Sequence, residues 1–113
     1  MDALENSRLI LDDYAAKILA ATTHKPKSAI ELSKKLAIPI AICYRRINKL
    51  EKSDLLEEAD RVLTQEGKRV SVYRSKLKNA HIVFEDGKFK VKIEKRNEPP
   101  KRNEWESINL IKR

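Results

Sequence analysis

Glycine is nearly missing: only Gly67 and Gly87 occur in 113 residues. That excludes a glycine-rich phosphate loop, and no nucleophile elbow or paired-carboxylate arrangement offers another route to catalysis. No enzyme activity and no cofactor are expected. The single cysteine, Cys43, sits among apolar residues, so no intramolecular disulfide and no CxxC metal spacing exist. His24 and His81 are too far apart in sequence to suggest a metal or catalytic site. Aromatic residues make up only 5% of the chain, so its core must be aliphatic. Asp2, Glu5, Arg8, Asp12 and Asp13 interrupt the first residues, leaving no signal peptide and no membrane span to draw. A soluble cytoplasmic protein of one small domain is expected.

Charge, in contrast, is plentiful. Charged residues are 37% of the chain and the net charge is +8. It is distributed in blocks: −2 over residues 1–23, +6 over 24–52, −4 over 53–67 and +8 over 68–113. Such blocks suit a face that seeks an anionic polymer.

Apolar residues repeating around Tyr14, Ile18 and Ala21 predict a first helix over about 8–22, with Asp12 or Asp13 capping it. Ser28 with Glu31 three residues later forms a capping box for a short second helix carrying Ala29, Leu32 and Leu36. Pro39 suits the start of a third helix, which runs to about Lys52. The pattern then changes to strands, LLEEADRVLT and RVSVYRSKL, around a turn at Gly67. A second hairpin, HIVFEDGKFKVKIEK, has the Asp86-Gly87 dipeptide of a type I′ turn. After the linker NEPPKR, a short terminal helix bearing Trp105, Ile108 and Ile111 is predicted.

The run PKSAIELSKKLAIPIAICYRRINKLEKSDLL, followed by LLEEADRVLTQEGKRVSVYRS, resembles the winged helix-turn-helix domains of archaeal ArsR-like transcription regulators. The resemblance covers roughly residues 8–77. It implies an α+β fold of three helices plus a β-hairpin wing, here extended by an additional hairpin over 78–96 and by the linker and terminal helix of 97–113. It also implies sequence-specific binding to double-stranded DNA by a homodimer, with the third helix in the major groove and the wing on the backbone. Three departures stand out. Ala41 and Ile42 replace the Ser and Thr frequent in such regulators, Asp54 replaces a Gly, and the cysteine pair of the metal sensors is missing.

At about 100° per residue, Ile40, Cys43, Ile47 and Leu50 share one sector of the third helix and Arg45 points away from it. Arg45 is therefore the candidate for base reading, since a guanidinium can bond the O6 and N7 edge of guanine. Arg46, at the margin, suits either a phosphate or an acidic neighbour in the chain. Ala41, Ile42, Tyr44 and Lys49 complete the expected groove face, Tyr44 being at least as well suited to packing. Lys27 and Ser28 are candidates for a phosphate at the second helix's N-terminus, although Ser28 also reads as a plain cap. Lys68 and Arg69 flank the wing tip. Lys88, Lys90 and Lys92 fit either DNA binding or protection of an edge strand, with protection preferred. Trp105, Ile108 and Ile111 are expected to pair with Leu4, Leu9, Ile10 and Leu11 across a two-fold axis, the alternatives being a tail that folds back on its own subunit or is disordered. A protein-interaction adaptor and a sequence-indifferent architectural DNA binder are the alternatives. No membrane partner is expected, and the sequence names no effector.

Overall fold

The computed structural model describes residues 3–99 and 105–108. It is an α+β chain in the order α1 (Ala3–Leu11), α2 (Asp13–Ala21), β1 (Lys27–Ser28), α3 (Ala29–Leu36), α4 (Ile40–Lys52), β2 (Leu56–Leu63), β3 (Arg69–Ser75), β4 (Leu77–Glu85), β5 (Lys88–Lys95) and β6 (Glu106–Ile108). No helix among the described residues is long and apolar enough to cross a membrane.

The expected first helix is two helices. Asp12 adopts extended backbone, φ −65° and ψ 127°, and its carboxylate accepts from the Ala15 N–H at 2.9 Å. It therefore caps α2 at the cost of interrupting α1, because an N-cap residue leaves helical geometry to satisfy the free N–H groups behind it. Ser28 and Glu31 complete the expected capping box on α3. Ala37 ends α3 in the left-handed region, φ 54°, and turns the chain into α4. Ile38 plugs the turn beneath it and is 2% exposed, with its carbonyl held by the Ser33 hydroxyl at 2.5 Å.

The core lies where these helices meet: Ile18, Leu32, Cys43, Ile47, Leu50 and Leu55 are all fully buried. Cys43 packs as a small apolar residue, its thiol 3.5 Å from the Ala29 carbonyl, and burial raises its pKa. Ile40 departs from expectation by being 42% exposed. It opens the helix, so its sector projects past the end of the core rather than into it.

Two antiparallel three-stranded sheets follow, ordered β1-β3-β2 and β4-β5-β6. Gly67 at φ +79° shapes the β2–β3 turn. Asp86 and Gly87, both at positive φ, join β4 to β5 as the dipeptide predicts. β1, two residues long, was not foreseen. Nor was β6: residues 106–108 form a strand paired with Phe89, Lys90 and Val91, not the expected terminal helix. Ile108 is 9% exposed and β6 packs near α1. The apolar strip expected to meet a second copy is thus used, at Ile108, inside its own chain. Ile111 lies outside the described residues.

β5 lies between β4 and β6, and β6 covers it over Phe89–Val91, so Lys90 does not guard an edge, whereas Lys88 and Lys92 flank the covered stretch. The second sheet is tied to the helices at Asp54. This residue takes the left-handed conformation, φ 59°, just after α4, and its carboxylate bonds Lys76 at 2.7 Å and Lys95 at 3.1 Å. These hydrogen bonds, that of Lys76 foremost, hold its pKa below the ordinary carboxylate value. Arg96 adds a bond to the Thr23 carbonyl at 3.0 Å. A glycine at position 54 could adopt the turn but could not make this staple.

Candidate nucleic-acid interface

α4 is held by one face and leaves the other open. Cys43, Ile47 and Leu50 are 0% exposed, whereas Ala41, Tyr44, Arg45, Asn48, Lys49 and Lys52 face solvent. Arg45 stands opposite the buried stripe, as its helical position predicts, and has no acidic partner among the described residues. Pro39 supplies no side-chain acceptor to α4 and no acidic residue lies in the first turn. The helix N-terminus, with its unsatisfied N–H groups and positive dipole end, is left for solvent or an anion.

Adjacent Arg46 does something different. Its Nε and Nη2 reach the two Asp12 oxygens at 2.9 and 3.3 Å, and its guanidinium lies 5.8 Å from the Tyr14 ring centre. Of the two roles open to it, the ion pair within the chain is the one realised. The hydrogen bond from Arg46 is the main cause that lowers the Asp12 pKa below its ordinary value. Arg46 thereby ties α4 to the start of α2 and keeps the outward face of α4 in fixed orientation.

Other expected residues separate in the same way. Lys27 directs its ammonium at the Ala21 carbonyl, 2.5 Å away, where it caps the C-terminus of α2 and is not free for a phosphate. Ser28 is 6% exposed and its hydroxyl serves the Glu31 N–H, so it is the plain cap. Ile42 is half-buried against the core. Lys49, Lys68 and Arg69 are exposed. Tyr44, 47% exposed, is a surface residue and not a packed one.

Between α4 and the β2–β3 hairpin lies a notch of about 230 Å³, lined by residues that include Ile30, Tyr44, Arg61, Arg69 and Tyr73. Arg61 was missed in the sequence because its strand segment is acidic overall; register places it across from Ser71, two residues along the strand from Arg69. Glu58, 3.6 Å from Arg61, partly offsets its charge. Burial raises the Tyr73 pKa. Among the described residues no group of three or more His, Cys, Asp or Glu side chains could hold a metal ion.

No curated protein matches the chain. Residues 10–59 match the family described as a helix-turn-helix domain, a stretch running from the end of α1 through α4 into β2. The matched stretch, a little under half of the chain, contains the α3–turn–α4 unit and the helix that supports it, which are thus similar to a helix-turn-helix domain.

Proposed function

We propose that this protein is a sequence-specific regulator of transcription that binds double-stranded DNA, with α4 in the major groove and the β2–β3 hairpin as a wing along the backbone. The observation that carries the proposal is the geometry of α4, whose 13 residues are anchored by a fully buried stripe while Arg45 and Lys49 project from the opposite side. Arg45 reads guanine, Ala41 and the edge of Ile42 offer apolar contact to thymine methyls, Tyr44 and Arg69 line the notch, and Lys49 and Lys68 meet phosphates. Arg46 orients α4 from within the chain, and Lys27 and Ser28 act only through the helices they cap. An ArsR-like regulator of archaeal type, working in the cytoplasm, fits this arrangement, without the cysteine pair of the metal sensors.

Each phosphate neutralised should contribute about −0.9 to the slope of log affinity against log salt. Duplex binding should therefore weaken steeply with salt, and Lys68→Ala should make the slope shallower by about one. Salt-independent affinity would remove the basic surface from the interface. Ile30 and Ile40, 49% and 42% exposed beside Tyr44, support a second reading as a protein-binding adaptor. Absence of duplex binding at low salt would favour it.

A homodimer is part of the proposal, because helix-turn-helix proteins place two recognition helices about one DNA turn apart. With residues 106–108 in β6, the edge of β4 that is unpaired among the described residues is the better contact. Its nine residues carry Phe84, 66% exposed, and pairing about a two-fold at Ile82 would set Phe84 beside Ala80 of the second copy. Sedimentation should show a dimer for the full chain and mainly monomer for Phe84→Glu; a monomeric full chain, or a variant that dimerises equally well, would refute the contact.

A further inference from the structure

The register of the second sheet gathers a set of side chains that the duplex-binding reading does not use. His81 lies opposite Lys92, Val83 opposite Lys90 and Glu85 opposite Lys88, while Lys90 also lies opposite Ser107 of β6. Side chains alternate across a strand, so these residues share one face. The alternate residues of β5 point the other way, where Val91 is 2% exposed beside buried Ile108. Trp105 stands two residues before Ser107, 41% exposed, its ring steeply inclined to that of His81 with centres 6.2 Å apart. Together Val83, Glu85, Lys90, Trp105 and Ser107 line a hollow of about 460 Å³.

Three lysines at alternate positions lie about 6.7 Å apart along the strand and repel one another. Since β6 covers β5 at Lys90, edge protection does not account for that lysine. Glu94, 3.5 Å from Lys92, offsets one end of the row, and Glu85 faces Lys88 across the register at the other. Lys90 has no ion-pair partner among the described residues, so its ammonium is available at the hollow beside the indole, with Glu85 on the opposite strand at the hollow's far side. A cation next to an exposed aromatic face matches an anion that carries a flat apolar ring. Nucleotides in a single strand have that composition: their bases stack on aromatic side chains and their phosphates lie along lysines. A duplex hides its base faces, and an acidic peptide gives the indole nothing to stack on.

We propose that this face of β4-β5-β6 is a second nucleic-acid site, specific for single strands, in which a base stacks on Trp105 and its phosphate lies at Lys90. The site is separate from α4 and does not depend on the duplex reading.

Trp105 is the only tryptophan, so its fluorescence reports the site directly. Titration of the full chain with an unstructured oligothymidylate should quench that fluorescence saturably. Lys90→Ala should weaken the quenching isotherm roughly tenfold, with Lys90→Gln as a second variant that keeps the stem, both checked for an unchanged melting curve. Trp105→Ala should lower affinity by at least a similar factor when binding is followed by anisotropy of a labelled oligonucleotide. Arg45→Ala should leave the quenching unchanged. Any of three results overturns the proposal: no quenching, equal quenching by duplex or polyglutamate, or an isotherm insensitive to both Lys90 variants.

Discussion

Replacing Arg45 with alanine should lower affinity for a selected duplex site by roughly 5- to 150-fold, the equivalent of about 1–3 kcal/mol, and should relax the preference for guanine at one position. The size follows from the loss of two hydrogen bonds to a base edge, which no neighbouring side chain can replace. Arg46→Ala should leave the base preference in place and act instead on stability, because Arg46 is bonded to Asp12. Competition binding with selected and scrambled duplexes separates the two. If the selected motif is unchanged in the Arg45 variant, direct reading by that side chain is wrong.

Asp12→Ala should destabilise the fold by about 2–3 kcal/mol, which for a domain of this size lowers Tm by roughly 10 °C or more. One side chain does two jobs here. It caps α2 through the Ala15 N–H, and it neutralises Arg46, whose side chain is 24% exposed and would be left without its carboxylate. Asp12→Asn should cost less, since an amide oxygen still caps. The same group sets part of the acid limit. A carboxylate whose pKa is lower folded than unfolded stabilises the fold above its unfolded value of about 4, and that stability is lost as pH falls through the lower folded value. Asp54 acts in the same direction through Lys76 and Lys95. Denaturation followed from pH 6 down to pH 2 should show wild-type stability falling below about pH 4, with a shallower fall in Asp12→Asn. Parallel curves would mean that Asp12 has no stabilising charge interaction.

Features written in neighbouring residues were legible in the sequence, whereas those decided by distant partners were not. The capping box at Ser28, the Asp86-Gly87 turn, the span of α4 and the outward direction of Arg45 all follow from spacing over a few residues. The Asp12–Arg46 pair joins residues 34 apart, and no local pattern announces it. Nor did one announce that the Lys27 ammonium would be directed at Ala21. β6 shows the limit most plainly. Trp105, Ile108 and Ile111 recur at a helical interval, but so short a segment has little intrinsic preference, and pairing with Phe89–Val91 makes residues 106–108 a strand. That pairing also changed the meaning of Lys90, which an edge strand would have explained. Arg61 was hidden for a similar reason, since only the β2–β3 register brings it near Arg69.

The most direct test of a recognition helix in the major groove is chemical interference at guanine N7. A duplex selected from a random pool by the full chain would be methylated sparsely at that atom, which lies on the major-groove edge, and divided into bound and free fractions. With α4 in the groove and Arg45 at the O6 and N7 edge, methylation at one guanine of the site should deplete molecules from the bound fraction, and the depletion at that guanine should vanish in the Arg45→Ala protein. Equal methylation of bound and free fractions at every guanine of the site would contradict major-groove reading by α4.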